Sequence, residues 1–314
     1  MVSTHDVPVV AFYDEDADDN LDPGELVRIP EATVEIGTRS GVTTAPEGEA
    51  VITGVPAGSQ TVVARGGSLP PYYRPGNPLT VAVPSDGVVN VPVQLPIHSN
   101  IPNRYLAFGD SITEGDETLG DFTYRVPLRE FLEGFFGIAE ILNSGAGGTT
   151  SREGVPRLRG ELIRHKPGIV LVVYGTNDWN DCALPETCFT VDSLRSMIQE
   201  TRNQGALPYV ATVLPSNTGF DARAPASRND WIAELNELIR AMVAAEGAVL
   251  MDVHRAFLDA APDGDFSGLF EDHVHPSPEG YDLMARAMYA AITGSSAPPG
   301  FGGSGRLGLF GARH

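Results

Sequence analysis

From Pro8 to Leu95 the apolar residues fall in short alternating runs, such as Val9-Val10-Ala11-Phe12-Tyr13, Ala32-Thr33-Val34-Glu35-Ile36, Gln60-Thr61-Val62-Val63-Ala64 and Val88-Val89-Asn90-Val91-Pro92-Val93. Period-two runs of this length, separated by Gly, Pro and Asp turns, predict strands. With no helical period among them, they predict a small antiparallel β-sandwich domain over residues 1–97. After a Pro-flanked connector, read as a linker at 98–103, the pattern changes to apolar strands alternating with helix-length amphipathic stretches. That alternation is the mark of an α/β fold with a parallel sheet. Strands are expected near 104–109, 138–142, 168–174, 207–213 and 247–252, and helices near 122–135, 155–165, 191–203, 226–246 and 279–293. The second domain spans 104–294, and a Gly- and Pro-rich tail, 295–314, is expected to be flexible.

Composition narrows the partners. The formal net charge is -20, from 41 acidic and 21 basic residues, and Lys166 is the single lysine. A polyanion such as nucleic acid would be repelled, whereas a neutral substrate would be indifferent. No apolar run reaches the roughly 18 residues of a membrane helix. The start, Met1-Val2-Ser3-Thr4-His5, has neither a charged nor an apolar leader segment. Cys182 and Cys188 are the only cysteines. Their spacing suits a local disulfide, which would contribute about 2 kcal/mol through chain entropy; two free thiols of a cytosolic protein are the alternative.

Four short blocks lie at the carboxyl ends of predicted strands or in the last loop, where open α/β sheets build their sites. The first, Gly109-Asp110-Ser111-Ile112-Thr113-Glu114-Gly115, presents a serine that is either a nucleophile or a helix cap. The second, Asn143-Ser144-Gly145-Ala146-Gly147-Gly148-Thr149-Thr150, offers glycines whose N–H groups can approach a ligand. In the third, Tyr174-Gly175-Thr176-Asn177-Asp178, the Asn177 amide can donate to a developing oxyanion. The fourth, Asp272-His273-Val274-His275-Pro276, supplies a base and a carboxylate from one loop. His273 and the pair Asp252 and His254 are rivals for that role.

Together these blocks resemble the SGNH hydrolases, also called GDSL esterases, over about 190 residues from Arg104 to Thr293. The resemblance implies a flavodoxin-like three-layer parallel sheet. It implies Ser111 as nucleophile, His275 as general base and acid, and Asp272 as its orienting partner. It also implies an oxyanion hole made by Ser111, Gly148 and the Asn177 side chain; counting from Asn143 selects Gly148 over Gly147 and Gly145. No cofactor is implied for catalysis, and activity should fall as a group of pKa about 6.5 protonates. Ile112-Thr113 stands where the family's name has Leu, a variant common among its carbohydrate-active members.

The expected function is therefore an extracellular serine esterase acting on short acyl or acetyl esters, with acylated polysaccharide as one substrate. A lipase, phospholipase or thioesterase of the same fold is the second reading. A surface binding module with an inert hydrolase domain is the third.

The first domain resembles the B-repeat and carboxypeptidase-regulatory-like modules of bacterial surface proteins, on residues 47–62. Without a lysine in its first hundred residues it cannot form a lysine isopeptide. Residues 14–25 place Asp14, Asp16, Asp18, Asn20, Asp22 and Glu25 at calcium-loop spacing, with Asp19 where that pattern has Gly. A structural calcium is one expectation, and a solvated acidic turn is the other. Tyr72 and Tyr73 suggest a carbohydrate-binding face, against the plainer reading that they pack a loop.

Overall fold

The computed structural model describes residues 3–115, 122–296 and 298. Most of the tail expected at 295–314 lies outside them.

The amino-terminal part is two facing four-stranded sheets. One has the order β4 (Glu49–Pro56), β1 (Thr4–Tyr13), β8 (Val89–Gln94) and β6 (Arg74–Pro75). The other runs β3 (Arg39–Val42), β2 (Thr33–Ile36), β5 (Gly58–Ala64) and β7 (Leu79–Val83). Within these sheets every pair is antiparallel except β1 with β8, which run parallel.

The parallel sheet has the order β10 (Glu140–Gly145), β9 (Ile101–Gly109), β11 (Pro167–Val173), β12 (Leu207–Ala211) and β13 (Val249–Met251). This 2-1-3-4-5 order is that of flavodoxin-like folds, in which the order reverses between the first and third strands. Strands covered on both faces must be apolar on both. In β9, Tyr105 and Ala107 enter one core cluster and Leu106 and Phe108 the other. Against the first face pack α2 (Arg125–Phe136), α6 (Val253–Ala260) and α7 (Pro278–Thr293). Against the second pack α3 (Ser151–His165), α4 (Thr190–Asn203) and α5 (Ala226–Glu246). A one-turn helix, α1 (Ser111–Glu114), follows β9.

Helix α3 begins four residues before the periodicity predicts, because Thr150 and Glu153 form a reciprocal capping box. Helix α6, absent from the periodic reading, is started by the Asp252 side chain accepting the Arg255 N–H.

The sandwich packs onto the α/β part instead of hanging from it. Tyr73 stacks on Phe136 with ring centroids 6.0 Å apart, and Tyr72 meets Tyr209 edge-on at 5.5 Å. The Tyr72 hydroxyl donates to the Pro208 carbonyl at 2.9 Å. The two tyrosines are thus not an open carbohydrate face; Tyr73 is only 8% exposed. Nor are residues 98–103 a free linker. Asn100 donates to the Gln204 carbonyl, Ile101 pairs with Pro167 in β11, and Asn103 donates to the Ile138 carbonyl.

Candidate active site

Ser111 follows β9 directly. Asp110 is the cap of α1, its Oδ1 accepting the Ile112 N–H at 3.0 Å, so the adjacent serine hydroxyl is not needed for capping. Ser111 Oγ instead lies 2.8 Å from His275 Nε2. On the far side of the ring, His275 Nδ1 is 2.8 Å from Asp272 Oδ2. Asp272 Oδ1 accepts the N–H groups of Val274 and His275, each at 2.7 Å. Burial works to raise the Asp272 pKa, but those bonds and the His275 ring outweigh it and hold the carboxyl below its ordinary value. An ionised Asp272 draws the ring proton to Nδ1 and leaves the Nε2 lone pair facing Ser111 Oγ.

The rival bases are placed elsewhere. His273 Nδ1 stands 3.7 Å from Asp272 Oδ2, and its carbonyl accepts the Asn217 N–H. His254 is buried, which depresses its pKa, while Asp252 is taken up by a two-point pair with Arg240 and by Thr212.

Among the described residues, the glycine-rich turn after β10 has one N–H left over. Gly145 donates to Asn143 Oδ1, Ala146 to the Gly109 carbonyl, Gly147 to Glu114 Oε2 at 2.7 Å, and Thr149 to the Ala146 carbonyl. Among the described residues only the Gly148 N–H of this turn is unspent, which separates it from Gly147 and Gly145. Gly148 sits at φ +71°, a conformation that favours glycine. Gly145 must be glycine for another reason: a Cβ there would lie 2.1 Å from the Glu114 nitrogen. One hydrogen of the Asn177 amide goes to the Thr149 carbonyl at 3.0 Å, leaving the other to donate. Because β10, β9 and β11 are neighbours, Gly148, Ser111 and Asn177 follow three adjacent strand ends at the point where the strand order reverses.

Two residues in these blocks that the sequence reading passed over are Glu114, bonded to the Gly147 N–H, and Asp178, which is fully buried. Their only signal was membership of the blocks. Cys182 and Cys188 form a disulfide beside the third block, with a Cα–Cα distance of 5.3 Å.

In the acidic loop, Asp14, Asp16 and Asp18 bring carboxylate oxygens within 4.8 Å of one another. Asp19 adopts φ +64°, the left-handed turn that the calcium-loop pattern gives to glycine. Two of the other three expected ligands make hydrogen bonds within the loop. Glu25 spends its oxygens on the N–H groups of Glu15 and Asp22, and Asn20 donates to Asp18. Burial raises the Asp14 pKa. It raises that of Glu15 too, helped by the charges of Glu25 and Asp16.

A hydroxyl, imidazole and carboxylate in one relay beside a five-stranded parallel sheet are the parts of a nucleophilic acyl-transfer hydrolase. The chain belongs to the GDSL-like Lipase/Acylhydrolase family, whose match covers residues 107–283 and leaves the sandwich outside. It is 26% identical over 212 residues to an acetylxylan esterase of Geobacillus stearothermophilus, covering 60% of this chain and 93% of that one. Among solved structures, a lipase/acylhydrolase from Enterococcus faecalis is 23% identical with a TM-score of 0.50, covering 61% of this chain and 96% of that one. An alpha/beta hydrolase from the metagenome of Lake Arreo, Spain, is likewise 23% identical with a TM-score of 0.50, covering 62% and 97%. No helix among the described residues is long and apolar enough to cross a membrane.

Proposed function

We propose that the chain is a serine esterase that removes short acyl groups, acetyl foremost, from carbohydrate through an acyl-enzyme on Ser111. The observation carrying this reading is the unbroken relay from Ser111 Oγ through the His275 ring to Asp272, with 2.8 Å at each step. His275 Nε2 takes the Ser111 proton as Oγ attacks the ester carbonyl. The oxyanion forms against the N–H groups of Ser111 and Gly148 and the free Asn177 amide hydrogen. The imidazolium returns its proton to the departing alcohol, and water repeats the sequence on the acyl-enzyme. The acetyl and carbohydrate preference rests on likeness to the acetylxylan esterase. The disulfide supports a place outside the reducing cytosol.

Rates on acetylated xylooligosaccharides and on p-nitrophenyl esters of rising chain length test the substrate class. Release from the acetylated sugar and a decline beyond the shortest acyl chains are expected. A rise toward long chains with no deacetylation would favour the lipase reading. Asp272, held below its ordinary value by its hydrogen bonds, should stay ionised through the range in which a free carboxylate protonates, whereas burial pushes the Asp110 carboxyl up to about 7. The pH profile of activity should therefore show no protonation step in the ordinary carboxylate range; such a step, removed by Asp272→Asn, would contradict this.

We also infer that loop 14–25 holds calcium through Asp14, Asp16 and Asp18. Three convergent carboxylates repel one another, and a cation relieves that repulsion. Millimolar calcium is expected to raise the melting temperature by several degrees, as binding to the folded state alone stabilises by about 2.7 kcal/mol at a hundred times Kd. No shift, and no heat of binding, would remove the site.

A further inference from the structure

Asp178 follows Asn177 directly and takes no part in the proton relay. It is fully buried, yet among the described residues no cation pairs with it. Its Oδ1 accepts the Ser151 N–H at 2.8 Å. Its Oδ2 accepts the hydroxyls of Ser151 at 2.5 Å and Thr190 at 2.7 Å. Burying a lone charge costs several kcal/mol, offset only when donors converge on it. Three donors do so, and the partial positive charge at the start of α3 adds to them.

The Thr150–Glu153 capping box leaves the Ser151 N–H open, and Asp178 Oδ1 takes it, but capping does not account for the second oxygen, which is bound to two hydroxyls. What the carboxylate joins is more telling. Ser151 opens α3 and Thr190 opens α4, so one side chain holds two helix starts against the turn that follows β11. The Asn177 amide bonds to the carbonyl of Thr149, two residues before Ser151. The Asp178 bonds to Ser151 therefore form a second link between the same two segments, beside the Asn177–Thr149 bond. The Thr190 hydroxyl also lies 3.1 Å from Cys188 Sγ, so the disulfide-closed loop backs the same cluster.

We propose that Asp178 is a positioning residue that fixes both ends of the Asn177–Thr149 hydrogen bond and so aims the second Asn177 amide hydrogen at the oxyanion. This rests on the oxyanion reading given above. If the two segments drift, the amide swings, and a displacement near 1 Å costs on the order of a hundredfold in rate.

A double-mutant cycle on the full chain with p-nitrophenyl acetate tests it. Asp178→Ala is expected to lower kcat by roughly ten- to a hundredfold with KM nearly unchanged. Added to Asn177→Ala, it should lower kcat by no more than about twofold further, because its target is gone. Asp178→Asn should recover most of kcat, since its carbonyl still accepts the Ser151 N–H and both hydroxyls can turn to accept from its amide. If Asp178→Ala does not fold, Ser151→Ala, which deletes one hydroxyl donor, should still lower kcat several-fold without moving KM. A folded Asp178→Ala, or in its place Ser151→Ala, with wild-type kcat overturns the proposal. So do losses that multiply in the double variant. An Asn177→Ala variant with full activity sinks the oxyanion reading itself, and the proposal with it.

Discussion

Ser111→Ala is expected to lower kcat by about a millionfold on any ester the wild type cleaves, while the protein stays folded. Removing the nucleophile of such a triad leaves only binding and oxyanion stabilisation, a residue of about 10³–10⁴ over water. Among the described residues the hydroxyl makes one side-chain hydrogen bond, to His275 Nε2, so its loss costs the fold only about 1 kcal/mol. The cap of α1 belongs to Asp110 and survives the change. Steady-state rates with a thermal melt alongside check both halves. Turnover within tenfold of wild type, in protein free of contaminating esterase, contradicts the assignment.

Asn177→Ala carries the second largest expected effect. One amide hydrogen holds the Thr149 carbonyl and the other is free for the oxyanion, so the variant loses a donor aimed at charge that develops only in the transition state. Deleting one such donor costs about 10²–10³ in kcat, or roughly 3–4 kcal/mol. Because the ground-state carbonyl gains little from that donor, KM should hardly move. Measuring kcat and KM separately decides the matter. A raised KM at unchanged kcat would make Asn177 a substrate-binding residue instead.

The alternation of apolar strands and amphipathic stretches after Pro102 was enough to read the α/β class. Strands such as β11, buried along their whole length, must be apolar throughout, and that shows in composition alone. Ser111, Asn177, Asp272 and His275 stand out in the sequence because each sits in a short block at a strand end or in the last loop, and the structure joins Ser111, His275 and Asp272 in one relay. Gly148 was reached by counting, but its physical distinction is not local. It depends on Gly147 donating to Glu114, 33 residues away, and on Ala146 donating to Gly109. The same holds for Tyr72 and Tyr73. Their Pro-flanked setting fits an exposed loop as well as a packed one, and only Phe136, Pro208 and Tyr209 decide between them. In the acidic loop the spacing points to six ligands, and three of them, Asp14, Asp16 and Asp18, bring carboxylate oxygens together. All three also accept backbone N–H groups of the loop, as Glu25 does, so spacing alone does not show which side chains converge.

In the proposed reaction Ser111 Oγ is the atom acylated. A fluorophosphonate reacts with a serine only where a base and an oxyanion hole activate it, so the site of its adduct reports the nucleophile. After labelling of the folded full chain and proteolysis, mass spectrometry should find the adduct on Ser111, and should find none in Ser111→Ala. An adduct on another serine, or ester hydrolysis persisting in fully labelled protein, would contradict the account.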